Sequence, residues 1–77
     1  MNKAIIKALE ILLRHHKFSC YQACNDEFRV GYSRKESPEL FGEIMEIIGN
    51  IKEGYCDVSF TIRNEIININ IKLKEDN

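Results

Sequence analysis

Two histidines and two cysteines lie within ten residues of one another, and their chemistry is that of a metal site. They are His15, His16, Cys20 and Cys24; a third cysteine, Cys56, is distant in the chain. Imidazole nitrogen and thiolate sulfur are the ligands that zinc takes in tetrahedral sites. Cys20 and Cys24 are separated by three residues (C-x3-C), however, without the tight C-x2-C knuckle, and no second paired motif follows. The sequence therefore favours buried thiols and histidines that end a helix, with a zinc-stabilised small domain as an alternative.

The same residue types can form a nucleophile and its base, since His16 and Cys20 are four residues apart. No glycine-rich loop or oxyanion-hole signature accompanies them. A chain of 77 residues also has little room for the enclosed pocket of about 300 Å³ or more that small ligands occupy. We therefore expect no catalytic residues, no cofactor and no enzymatic activity.

A second group of chemically suggestive residues is acidic. Helical spacing places four glutamates on one face, together with Asn50: Glu39, Glu43, Glu46 and Glu53. Such a stripe is either an ordinary solvated face or a docking surface for a basic partner. As a functional hypothesis, the glutamates are the partner-binding residues.

A third group is basic. Arg29, Arg34 and Lys35 alternate with aromatic residues between positions 28 and 35, as they do in loops that bind nucleic acid. The structural interpretation is an edge strand protected by its charges. A formal net charge of −1 argues against a dedicated nucleic-acid binder. A nucleic-acid-binding regulator that uses these three residues stays open as the second function.

Two helices and a short strand are predicted to position these groups. Eight of the ten residues from Ala4 to Leu13 are apolar, which predicts a helix over 3–16. Ser37 as N-cap and Pro38 in the first turn predict a second helix over 38–51. The alternation of 28–32 predicts a strand in which Gly31 marks a bulge. Residues 18–27 are ambiguous, and a short helical turn capped by Ser19 is one interpretation of them.

The C-terminal part predicts a β-hairpin. Apolar and polar residues alternate over 56–62 and again over 67–73. A two-residue turn at Arg63 and Asn64 pairs Phe60 with Ile67, whereas a four-residue loop over 63–66 pairs Ile62 with Ile67. Both keep one apolar face, and Asn64 tolerates the left-handed backbone that a tight turn requires.

These elements predict one α+β domain over residues 1–77, with a polar tail from about 74. Both helices pack on one face of a small antiparallel sheet, in the order α-β-α-β-β, and the 28–32 strand adds an edge. The three cysteines are an odd number, which favours the reducing cytoplasm over a disulfide framework. No apolar run approaches the ~18 residues of a membrane span, and we expect no signal peptide.

The first helix is apolar around more of its circumference than one packing face needs. It is therefore either a central core helix or a contact for another chain, and we predict a homodimer with Ile5, Leu9 and Leu12 or their neighbours at the contact. Together these features predict a small non-enzymatic protein-binding module that uses the acidic helix face, the apolar first helix or both. Modules of this kind serve as adaptors, accessory subunits, regulators or inhibitors such as those of phages and mobile elements.

Overall fold

Two helices and four antiparallel strands follow one another along the chain. They are α1 (Asn2–Leu13), β1 (Cys20–Ala23), β2 (Glu27–Ser33), α2 (Leu40–Ile48), β3 (Cys56–Arg63) and β4 (Ile66–Leu73). The structure, a computed structural model, describes residues 2–51 and 54–74. The α+β class, the two helices and the C-terminal hairpin are confirmed, whereas the tail beyond residue 74 lies outside the described residues. Within the described residues, no helix is long and apolar enough to cross a membrane.

The predicted helical turn within residues 18–27 is wrong, because these residues form β1. The N–H of Ser19 donates to the C=O of Gly31 at 2.7 Å, and the N–H of Cys24 donates to the C=O of Glu27 at 2.8 Å. These bonds close a tight β1–β2 hairpin. Pairing with β2 gives the backbone of these residues stable hydrogen bonds, whereas a short isolated helical turn is only marginally stable. The order of elements along the chain is therefore α-β-β-α-β-β.

The sheet order is β1-β2-β4-β3, which corrects two predictions about β2. The strand predicted over 28–32 lies inside the sheet, between β1 and β4, and does not form an edge. Gly31 is in register with Cys20 on one side and Asn68 on the other, so the predicted bulge is absent from β2. The edges of the sheet are β1 and β3.

The hairpin has the second of the two predicted registers. Ile62 lies opposite Ile67, and Arg63 lies opposite Ile66. The turn therefore consists of Asn64 and Glu65, and the alternative turn at 63–64 is wrong. Asn64 has a φ of +57°, the left-handed conformation expected at this position.

The core lies between the helices and one face of β2 and β4. Among the described residues it consists of twelve buried apolar side chains, each at most 6% exposed: Ile6, Leu9, Leu13, Phe28, Val30, Tyr32, Leu40, Ile44, Ile67, Ile69, Ile71 and Leu73. Because all five helical members pack against this face, the predicted two-layer arrangement is confirmed. The other face of the sheet, hereafter the open face, carries mainly polar side chains.

Ser37 does not cap α2 as predicted. The N-cap is Glu39, whose side chain makes no capping hydrogen bond. The Ser37 hydroxyl accepts from the N–H of Lys17 at 3.0 Å and donates to the C=O of Lys17 at 2.7 Å. Ser37 is only 1% exposed, so its hydroxyl satisfies the backbone that follows α1 and joins the two helical segments of the chain.

Candidate functional site

The edge strand β3 presents unpaired backbone groups to its surroundings. The C=O of Tyr55 accepts from the N–H of Lys74 at 2.9 Å, so the odd-numbered residues of this strand direct their backbone groups towards β4. The backbone groups alternate in direction along an antiparallel strand. Val58, Phe60 and Ile62 therefore direct N–H and C=O outward, and no described residue lies beyond them in the sheet.

The side chains of the same three residues form an exposed apolar row, hereafter the β3 strip. Val58 is 36% exposed, and Phe60 and Ile62 are each 51% exposed. Their partners on β4 are Ile71, Ile69 and Ile67, none of them more than 3% exposed. Facing residues of neighbouring strands lie on the same side of a sheet, so the strip continues the core face beyond the cover of the helices.

Helix α2 fixes the centre of the strip. The ring of Phe41 meets the ring of Phe60 edge to face, with centroids 5.3 Å apart and an angle of 74° between the planes. Phe41 and Met45, one turn later on the helix, are both half-buried against the core. Such an aromatic pair contributes roughly 0.5–1.5 kcal/mol beyond its buried area. The strip is therefore held in place on one side and open on the other.

Charge on β3 is confined to the open face. Asp57 lies near the start of the strand and Arg63 at its end, on the side opposite the strip. The carboxylate of Asp57 is 3.4 Å from the ammonium of Lys74, and both side chains are more than half exposed. Edge strands are usually protected by charges, prolines or bulges. The helix-side face of β3 has none of these, so it is open to another strand.

The other edge of the sheet is shorter. Strand β1 has four residues, and its one large exposed apolar side chain is Tyr21, at 47% exposed. The ring of Tyr21 lies edge to face with Phe18 at a centroid distance of 5.3 Å. Tyr21 therefore matches Phe60 in exposure and packing but lacks the apolar neighbours along its strand.

A shallow depression of about 490 Å³ lies on the open face. Gly31 forms its floor, where an added Cβ would lie 2.7 Å from Oδ1 of Asn68 and 3.1 Å from Sγ of Cys20. Arg29 at its rim has its Nε 3.3 Å from a carboxylate oxygen of Glu27. The depression is open and its exposed lining is mainly apolar, and the residues that line it do not bring together the titratable groups that catalysis needs.

Of the four predicted glutamates, Glu43 and Glu46 lie on α2 and Glu39 is its N-cap. Glu39 and Glu46 are exposed. Glu43 has its Oε2 3.2 Å from Nε2 of His16, so this carboxylate already contacts α1's C-terminal side. Helix α2 ends at Ile48, and Glu53 lies outside the described residues. The predicted stripe is therefore described only as far as Glu46 and Asn50.

The basic residues are also separated. Arg29 lies on the open face of β2 beside Glu27, whereas Arg34 and Lys35 follow the end of that strand. Both of the latter are exposed. The carboxylate beside Arg29 partly offsets the charge of this residue, whereas the charges of Arg34 and Lys35 lie beyond the end of β2.

The proposed zinc ligands do not converge either. No group of three or more histidine, cysteine, aspartate or glutamate side chains within the described residues can hold a metal ion. Cys20 begins β1 and Cys24 directly follows its last residue, so the two are roughly 13 Å apart at the rise of about 3.3 Å per residue of a strand. His16 faces Glu43, and His15 is exposed. The expectation that the cysteines are buried is also wrong for Cys20 and Cys24, which are exposed, whereas Cys56 is half-buried.

Burial raises the pKa of the Cys56 thiol, and the charge of Asp57 acts in the same direction. The thiolate is the reactive form of cysteine. Among the three cysteines, Cys56 is therefore poorly suited to act as a nucleophile at neutral pH.

The first helix packs against the core but keeps Ile11 42% exposed. Leu9 is completely buried, whereas Ile5 and Leu12 are half-buried. Leu9 packs inside the chain, so the predicted contact between copies cannot include it. The sequence placed the surplus apolar surface on α1, whereas the structure exposes a row of three apolar side chains on β3 in addition to Ile11.

Comparison with known proteins adds no identification. No protein-family model matches the chain, and no curated protein and no solved structure matches it.

Proposed function

We propose that this chain is a small non-enzymatic protein-binding module that holds its partner along β3. The observation that carries the proposal is the β3 strip, three apolar side chains on a sheet edge whose backbone groups point outward. Proteins bind extended segments at such edges by strand addition, in which main-chain hydrogen bonds give affinity and alternate side chains give specificity. The chain then acts as an adaptor, accessory subunit, regulator or inhibitor.

The chemistry of the edge defines the partner. An added strand contributes every second side chain to the helix-side face, where it meets Val58, Phe60, Ile62 and the ring of Phe41. Its intervening side chains lie on the open face beside Asp57 and Arg63. The partner is therefore an extended segment with alternating apolar and polar residues.

This proposal moves the binding surface away from the glutamates of α2. Glu43 is in contact with His16, and an acidic surface by itself is common on soluble domains. The compartment that fits the proposal is the cytoplasm, since Cys20 and Cys24 are exposed free thiols that oxidising compartments would modify.

Affinity capture with matched variants tests the proposal. The tagged chain is incubated with lysate of its native cells supplemented with an untagged copy of the chain. Phe60→Lys changes the β3 strip. Tyr21→Lys is its control, because that residue is an equally exposed aromatic side chain on the other edge strand. Circular dichroism verifies that both variants fold.

We expect at least one polypeptide, from the lysate or the untagged copy, to bind the wild-type chain and Tyr21→Lys but not Phe60→Lys. Equal binding by Phe60→Lys would refute the proposal. A third variant, Glu39→Lys with Glu46→Lys, separates the surfaces: loss of binding only in this variant would assign the function to the acidic helix face. Binding of DNA or RNA that is lost on replacing Arg29, Arg34 and Lys35 would instead support the nucleic-acid function.

A further inference from the structure

We infer that the strand added to β3 is the β3 of a second copy of the chain, paired antiparallel about Phe60. This inference rests on the proposed function, since it names the partner of the same edge. The two four-stranded sheets then join into one continuous sheet of eight strands. The two-fold axis is perpendicular to the sheet, so the helices of both copies lie on the same side.

The backbone of β3 permits this pairing. The outward N–H and C=O groups belong to the even-numbered residues, and a two-fold axis through Phe60 places Phe60 opposite Phe60 and Val58 opposite Ile62. Each of these is a pair of outward-directed residues, which exchange both hydrogen bonds in an antiparallel ladder. The edge of the sheet therefore needs no rearrangement to form the contact.

The side chains match on the helix-side face. In this register Val58 and Ile62 of opposite copies meet, and the two Phe60 rings meet at the centre. The two β3 strips and the Phe41 rings that pack against them form a single apolar layer. The half-exposed residues of each copy thus lose their contact with water together.

The charges of Asp57 and Arg63 favour this register over the two neighbouring ones. On the open face, Asp57 of each copy lies opposite Arg63 of the other, which gives two opposite-charge pairs by symmetry, and Ser59 lies opposite Thr61. Only shifts of two residues keep the apolar rows on one face. A shift in one direction places Asp57 opposite Thr61. A shift in the other direction places Asp57 opposite Glu65, which is repulsive.

Charge reversal with mixing tests the inference. Asp57→Arg alone places arginine opposite Arg63 at both ends of the contact, and Arg63→Asp alone places two carboxylates together. An equimolar mixture of the two variants allows a mixed dimer in which both pairs are again attractive. Sedimentation velocity across the micromolar range measures association of the 9.0 kDa chain, and circular dichroism verifies that each variant folds.

We expect the wild-type chain to form a dimer, each single variant to associate about tenfold more weakly, and the mixture to recover wild-type association, because two exposed charge pairs change sign. Hydrogen exchange gives an independent measure: the amides of Val58, Phe60 and Ile62 become protected as concentration rises. Tyr21→Lys leaves association unchanged.

Two results would overturn the inference. One is a wild-type chain that stays monomeric over the whole range. The other is a dimer that neither single variant weakens, which would place the contact elsewhere or in another register. The proposed function is tested separately, since a monomer whose capture of a lysate protein still depends on Phe60 would retain strand addition with a different partner.

Discussion

The helices cover strand β4 but leave β3 partly exposed, and matched substitutions at Ile69 and Ile62 measure this difference as a loss of stability. Both side chains lie on the helix-side face of the sheet. Ile69 on β4 is 1% exposed, whereas Ile62 on β3 is 51% exposed. Because the same substitution can be made at both positions, the change in chemistry is constant and only the environment differs.

The expected magnitudes follow from burial. Ile→Ala removes three carbon groups, worth about 2.4 kcal/mol at ~0.8 kcal/mol per buried group. At Ile69 the cavity left behind raises the loss to about 3–4 kcal/mol. At Ile62, half of the surface is already in water and little cavity forms, so the loss is about 1 kcal/mol. A domain of this size has a net stability of only about 3–5 kcal/mol, so Ile69→Ala leaves it close to unfolding.

Urea denaturation followed by far-ultraviolet circular dichroism measures both losses, at concentrations where sedimentation shows monomer. If Ile69→Ala does not fold, the smaller substitutions Ile69→Val and Ile62→Val are compared instead. The free energy of unfolding is then expected to fall by about 0.5–1.5 kcal/mol for Ile69→Val and by much less for Ile62→Val. Equal losses at the two positions would refute the reasoning, because they would mean that β3 is covered as well as β4.

Other predictions concern the open face, the core and the thiols. Gly31→Ala changes the free energy of unfolding in urea denaturation by at most about 0.5 kcal/mol, because the atom that its Cβ would meet at 2.7 Å is Oδ1 of Asn68, the end of an exposed side chain that can rotate away. Burial raises the pKa of Tyr32 above its ordinary value of 10.0, so the unfolded chain ionises first. The free energy of unfolding therefore falls as the pH rises above that value, and a smaller fall is expected in Tyr32→Phe. Cys56, whose pKa burial raises, reacts with iodoacetamide at mildly alkaline pH more slowly than the exposed Cys24, as mass spectrometry of the alkylated peptides would show.

Local periodicity predicted most of the elements. The repeat of apolar residues in α1 and the alternation in β3 and β4 are set by residues a few positions apart, and each side chain's face follows from them. Asn64 was also predictable, since a tight hairpin turn needs a residue that tolerates positive φ.

Contacts between distant residues account for the errors. Ser37 with Pro38 and Glu39 has the pattern of a helix start, yet its hydroxyl bonds to Lys17, which is 20 residues away. Strand β1 has no alternation that separates it from a helical turn, and it forms because it can pair with β2. Neither partner is visible in a local window of the sequence.

The candidate site was missed for a related reason. The apolar positions of β3 and β4 alternate equally well, so the sequence does not indicate which strand lies inside the sheet. The position of each strand in the sheet is decided by β2, which pairs with β4 along seven residues. This pairing leaves β3 at the edge. The surplus of apolar residues was a usable signal, but periodicity alone assigned it to α1, where Leu9 proved to be buried.

The position of β3 links the stability of this chain to its proposed partner. An apolar edge alone would pair with many extended segments and would favour aggregation. Asp57 near one end and Arg63 at the other limit that choice, because a strand with the wrong charges opposite them meets like charge. Under the proposed pairing, apolar contact on the helix-side face supplies affinity and charge on the open face supplies register. Binding then stabilises the folded state by mass action, which matters most for a domain whose own core consists of twelve side chains.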